Sequence, residues 1–87
     1  MDNKLMNCRV CGLSQDDLPW GVDGRSPNYE ICDCCGVEFG NEDYTYESII
    51  KYRKNWINNG MIWFNKKQKP LEWNFEKQFE GILDNFR

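Results

Sequence analysis

Two short segments, Cys8-Arg9-Val10-Cys11-Gly12 and Cys32-Asp33-Cys34-Cys35-Gly36, repeat the pattern C-x-x-C-G and constrain this chain more than any other feature. Two residues between cysteines let the backbone curl until both sulfurs reach one ion at about 2.3 Å. A glycine after the second cysteine takes a positive φ readily, and is expected to turn backbone N–H groups towards the thiolates. Twenty residues separate Cys11 from Cys32, at the upper end of the spacing between the halves of four-cysteine zinc sites. The reading is one tetrahedral ion held by Cys8, Cys11, Cys32 and Cys35.

Five cysteines compete for four positions, and the ambiguity lies among Cys32, Cys34 and Cys35. Keeping the frame of the first pair selects Cys32 and Cys35, which leaves Cys34 as a small side chain beside the site. The sharper alternative makes Cys34 a redox-active or exchangeable ligand, although negative charge on neighbouring thiolates would raise its pKa. Four thiolates also suit a mononuclear iron site, and zinc is preferred as the commoner structural ion. Closed four-cysteine coordination leaves no position for water or substrate, so the expected cofactor is one structural zinc ion.

A chain of 87 residues has room for one domain, and so short a chain buries too little surface to be stable by a wide margin. A staple is expected, and the cysteines supply it. The opening Met1-Asp2-Asn3-Lys4 has no basic segment leading into an apolar run, so a cytoplasmic location is expected, where paired cysteines bind metal or do redox chemistry more often than they form disulfides. No apolar run approaches the roughly 20 residues of a membrane span. The formal charge of −3 hides a polarity: residues 1–47 carry ten acids and three bases, net −7, and residues 48–87 carry eight bases and four acids, net +4.

Residues 1–41 are rich in Gly, Asp, Pro and Cys with only short apolar stretches, a pattern that fits short strands joined by turns. Between the cysteine pairs, Pro19-Trp20-Gly21-Val22-Asp23-Gly24-Arg25-Ser26-Pro27 reads as a long loop, with Asp23-Gly24 a strong turn signal. In the region 42–87 the period changes. Tyr46, Ile49, Ile50, Arg53, Trp56 and Ile57 recur at spacings of three and four, which predicts a helix over about 46–59, capped by Thr45 and stopped by Asn58-Asn59-Gly60. Phe75, Phe79, Ile82, Leu83 and Phe86 predict a second helix over about 75–85, with Asn74 as its N-cap. The expected fold is a small α+β domain: a zinc-ribbon-like N-terminal half of two knuckles and short β-strands, packed with two C-terminal helices.

The two knuckles, the segment Tyr29-Glu30-Ile31-Cys32 and the acidic stretch Glu38-Phe39-Gly40-Asn41-Glu42-Asp43 resemble small bacterial cysteine-rich proteins of the CPCC family. In that family the adjacent cysteines lie in the first knuckle, whereas here they lie in the second. The resemblance covers roughly the first half of the chain and implies a zinc-ribbon-like module, without naming an activity. Some proteins of this sort look like immunity or regulatory partners.

There is no histidine, which removes the commonest general base and every zinc site built on imidazole. Ser14, Ser26 and Ser48 therefore lack an activating partner, and no enzyme activity is expected. Glu38, Glu42, Asp43 and Glu47 read as a solvated acidic surface, because no glycine-framed calcium loop accompanies them. Trp20 sits in a loop, as a lid over the knuckles in preference to an exposed partner anchor. Lys51, Arg53, Lys54, Lys66, Lys67 and Lys69 could serve single-stranded nucleic acid, but a pI near 4.8 works against phosphate binding. The preferred function is a zinc-stabilised module for a protein partner, such as an inhibitor, immunity or regulatory protein. A nucleic-acid-binding zinc ribbon is the alternative, and a rubredoxin-like or thiol redox protein comes third.

Overall fold

A computed structural model of the chain describes residues 3–87. The elements in order are a 3-10 turn at Asn3–Met6, helix α1 at Tyr46–Asn58, a 3-10 turn at Lys66–Gln68, helix α2 at Phe75–Phe79 and a 3-10 turn at Asp84–Phe86. Among the described residues there are two α-helices and no β-strand, so the expected α+β class and the zinc-ribbon strand topology are both overturned in favour of a small all-α domain.

The physical reason lies at the edges of the knuckles. Each forms a single antiparallel bridge, Asn7 with Ser14 and Ile31 with Glu38, and neither ladder extends. Upstream of the first bridge the chain is wound into the Asn3–Met6 turn, and downstream Pro19 offers no N–H to a ladder. Upstream of the second, Tyr29 adopts φ 59°, and downstream Gly40 adopts φ 96°; both are left-handed and incompatible with an extended strand. The alternation needed for a strand is cut off within a few residues of each cysteine.

Helix α1 begins where its caps predict. Thr45 Oγ1 accepts from Ser48 N at 3.1 Å while Thr45 N donates to Ser48 Oγ at 3.1 Å, a reciprocal capping box with serine at the third helical position. Ile49 and Trp56 are buried against the knuckles, whereas Tyr46 and Ile57, assigned to the same face by period, are exposed. Helix α2 starts at its expected cap, with Lys77 N on Asn74 Oδ1 at 3.1 Å, but ends after Phe79 rather than near residue 85. Gly81 explains the early stop. Its carbonyl accepts from Asn7 Nδ2 at 2.9 Å, and a Cβ there would lie 2.8 Å from Asn7 Nδ2 and 3.0 Å from the Gly12 carbonyl. Docking of this segment onto the first knuckle overrides the helical period.

The core is a sulfur and aromatic cluster. Cys8, Cys11, Cys32, Cys34 and Cys35 are buried together with Val10, Val37, Phe39, Ile49, Trp56 and Trp63. Trp73 links two of the indoles, edge-on to Trp63 at 5.5 Å and to Trp56 at 6.2 Å between ring centroids, arrangements that ring quadrupoles favour.

Candidate metal centre

The two knuckles are built by the same hydrogen bonds, offset by 24 positions. Gly12 N donates to Cys8 O and Gly36 N to Cys32 O, both at 2.9 Å, and Cys8 N donates to Leu13 O and Cys32 N to Val37 O, also at 2.9 Å. Gln15 N on Met6 O and Phe39 N on Glu30 O complete the match at 2.8 and 2.9 Å. Gly12 and Gly36 have φ of 84° and 78°. Their N–H groups close onto the carbonyl of the first cysteine rather than onto sulfur, which differs from the role expected of them.

This repeat brings Cys8, Cys11, Cys32 and Cys35 together, all four buried, with their sulfurs within 4.8 Å of one another. Cys8 Sγ lies 3.7 Å from Cys35 Sγ, and Cys11 Sγ lies 3.6 Å from Cys32 Sγ. Four sulfurs at the vertices of a tetrahedron about 2.3 Å from a common centre stand about 3.8 Å apart. The donor set therefore fits a tetrahedral thiolate site, and the separations are far beyond the roughly 2.05 Å of a disulfide. Cys34, equally buried, is outside this set.

The surroundings are tuned for thiols. Burial pushes the Cys11 and Cys35 thiols up, while the Cys32 thiol is drawn down because Cys11, Cys35 and Cys8 can each donate a hydrogen bond to it. Two side-chain amides reach the sulfurs from outside: Gln15 Nε2 donates to Cys32 Sγ at 3.5 Å, and Gln78 Nε2 to Cys34 Sγ at 3.3 Å. An outer donor to a sulfur of the set, as Gln15 is to Cys32, spreads the charge of a thiolate centre, whereas Gln78 holds the fifth sulfur beside it.

The sequence reading missed how the knuckles' carbonyls are satisfied. In the first knuckle, Arg53 of α1 donates from Nε to Val10 O at 2.6 Å and from Nη2 to Arg9 O at 2.9 Å, while Gln78 Nε2 reaches Cys11 O at 3.1 Å. In the second, Asn65 N donates to Asp33 O at 2.8 Å, Phe64 N to Cys34 O at 3.0 Å, and the Tyr52 hydroxyl to Cys35 O at 3.0 Å. Every carbonyl from the residue after the first cysteine to the second cysteine is thus paired with the C-terminal half. Burial, with the nearby thiols adding to it, pushes the Tyr52 hydroxyl up to about 12, so it stays a donor at neutral pH. Half-buried Arg53, read as part of a basic surface, is committed to backbone.

Trp20 is 7 % exposed, in keeping with a lid. Its Nε1 donates to Asp43 Oδ2 at 2.8 Å, and the Arg9 guanidinium lies 3.9 Å over its ring. Asp43, read as surface, is fully buried; its other oxygen accepts from Gly40 N at 2.7 Å, and burial raises its carboxyl pKa.

The glycines give a sharp contrast. A Cβ at Gly12 would collide with the Gln78 carbonyl oxygen and approach Ile82 at 3.2 Å, whereas one at Gly24 (φ 70°) would meet nothing within 4 Å. Gly24→Ala is expected to cost about 1 kcal/mol through backbone strain alone. Gly12→Ala should cost about 3 kcal/mol or more, since backbone must also move. Thermal unfolding of the two variants checks the order.

Two curated proteins of Bacillus subtilis (strain 168) match the chain. The uncharacterized protein YozI is 34 % identical over 87 residues, covering 79 % of this chain and 70 % of the relative. The chain belongs to the family of YozI. The uncharacterized protein YoaQ is 33 % identical over 89 residues, covering 83 % of this chain and 74 % of the relative. No family model matches, so the resemblance to the CPCC family gains nothing from that comparison. No solved structure matches either. This member of the family is a small, cysteine-rich bacterial protein that holds a buried cluster of four cysteines able to chelate a metal. Among the described residues no helix is long and apolar enough to cross a membrane.

Proposed function

We propose that this YozI-family chain is a structural-zinc module that acts by binding another protein and performs no catalysis. The observation that carries the reading is the sulfur cage: four buried cysteines whose sulfurs lie within 4.8 Å of one another, a set that when closed around one ion leaves no ligand position for water or substrate. Such an ion would serve the fold. The working surface then lies elsewhere, and exposed Tyr29, Ile31 and Tyr44, close in sequence to Glu30, Glu38 and Glu42, favour an acidic, aromatic protein-binding face.

Arg53 is committed to backbone carbonyls, which leaves five exposed lysines of the basic group of six and so favours a protein partner over nucleic acid. Elemental analysis of reduced, purified protein should find about one zinc per chain, and fluorescence anisotropy should detect no binding to single- or double-stranded DNA at physiological salt. Iron with visible thiolate absorption would turn the reading to a redox protein, and salt-sensitive DNA binding would turn it to a nucleic-acid module.

A further inference from the structure

A cavity of about 350 Å³ opens beside the first knuckle, with Arg9, Asn7 and Asn85 as its polar wall and Leu5, Trp20 and Phe86 among its apolar ones. Arg9 is the unusual member. Its guanidinium carbon lies 3.9 Å from the centre of the Trp20 ring and 4.3 Å from that of Phe86, so two aromatic faces hold the cation in place. Of the five N–H donors on a guanidinium, one hydrogen bond is made among the described residues, from Nη2 to Gly24 O at 3.1 Å. Asp43, whose oxygens accept from Trp20 Nε1 and Gly40 N, makes no ion pair or hydrogen bond with it among the described residues.

A half-buried cation is thus fixed in orientation, without a carboxylate in contact, at the wall of a cavity large enough for a small molecule. Burial without a touching counter-charge is costly, and a guanidinium fork matches a carboxylate in two parallel hydrogen bonds. The Trp20–Ser26 loop that supplies the rim is itself locked, by Ser26 N on Trp20 O at 3.0 Å and Arg25 N on Asp23 Oδ1 at 2.9 Å.

We propose that this cavity binds a carboxylate carrying a compact apolar body, with the carboxylate on Arg9 and the body against Trp20, Phe86 and Leu5. The chemistry is shared by a free organic acid and by the C-terminal residue of a polypeptide. The inference goes beyond the metal reading and stands whichever ion the cage holds.

The test is a heteronuclear NMR titration of the purified full chain, retaining whatever metal it carries, with 3-phenylpropionate as the probe. Saturable shifts are expected at the Arg9 Nε–H, the Trp20 indole N–H and the Gly24 amide, with 3-phenylpropanamide at least about tenfold weaker. Arg9→Lys keeps the charge but loses the fork, and should weaken binding about tenfold. Asn85→Asp sets an acid at the exposed mouth, where the Asn85 side chain makes no hydrogen bond among the described residues, and should weaken binding about threefold or more without disturbing the fold. An acetylated pentapeptide ending in a free Phe carboxylate separates the sources: binding tighter than the probe assigns the site to a polypeptide terminus, and weaker binding to a free acid. Equal shifts from acid and amide, no saturation by about 10 mM, or unchanged binding in Asn85→Asp would overturn the proposal.

Discussion

Stripping the ion from the purified protein with a strong chelator is expected to abolish its cooperative thermal transition and to release α1 as well as the knuckles. Structural zinc supplies about 10–16 kcal/mol in small domains, as much as the roughly 5–15 kcal/mol of a whole domain's stability. The consequence spreads because the four cysteines sit inside the one cluster, among the described residues, that Ile49, Trp56 and Trp63 also belong to. Without metal, four buried thiols must share one space, with Cys11 and Cys35 pushed towards their neutral forms by burial. Circular dichroism and tryptophan fluorescence before and after chelation read the loss, and re-addition of zinc should restore both. Cys8→Ser, Cys11→Ser, Cys32→Ser and Cys35→Ser should each behave like the chelated protein. Cys34→Ser should retain about one equivalent of ion, because its sulfur lies outside the tetrahedral set and a hydroxyl can still accept from Gln78. A chain whose melting is indifferent to chelator, or a Cys34 variant that loses the ion as fully as a Cys35 variant, would sink this account.

Replacing Arg53 should have a large effect for a change outside the cysteines. Besides Val10 O and Arg9 O, its Nη2 donates to Phe86 O at 2.7 Å, so one side chain joins the first knuckle, α1 and the C-terminal turn. Hydrogen bonds from a charged donor are worth about 1.5–3 kcal/mol each, and leaving buried carbonyls unpaired costs about as much again. An ammonium cannot span this fork, so Arg53→Lys is expected to lose about 2–4 kcal/mol. For a domain of this size that lowers the midpoint of unfolding by roughly 10–25 °C. Arg53→Met, which keeps the stem but removes every donor, should lose more. Lys54→Met, next in sequence and exposed, should stay within about 0.5 kcal/mol. Equal melting of the Arg53 and Lys54 variants would show that the carbonyl pairing has no energetic weight.

The cage was legible early because its signal is local. Two intervening residues and a following glycine specify the turn by themselves, and the 24-residue offset between knuckles repeats it down to individual hydrogen bonds. The caps of α1 and α2 were legible for the same reason: Thr45 and Asn74 act within four residues of themselves. The absence of strands was not, since the short apolar stretches flanking the cysteines looked extendable until Tyr29 and Gly40 turned left-handed. Nor was the end of α2, where an unbroken apolar period runs through Phe86 but Gly81 must lie flat on Asn7 and Gly12.

Arg53, Gln78 and Asp43 form the other group that no pattern announced. Arg53 falls at a helical spacing that marks burial and in a charge group that marks exposure, and nothing local decides between them. Gln78 Oε1 accepts from Trp73 Nε1 at 2.8 Å while its Nε2 serves Cys11 O and Cys34 Sγ, a role that needs partners 67 and 44 residues away.

From residues alone came the turn chemistry: which sulfurs face inward, where helices open, which half is acidic. Three-dimensional packing chose the class of fold, the early exit from α2 and the identity of the side chains that silence the knuckles' carbonyls. The division has one cause. Turns and caps are fixed by bonds spanning a few residues, whereas a buried polar group must find its partner wherever the chain returns, and that is a property of the folded whole.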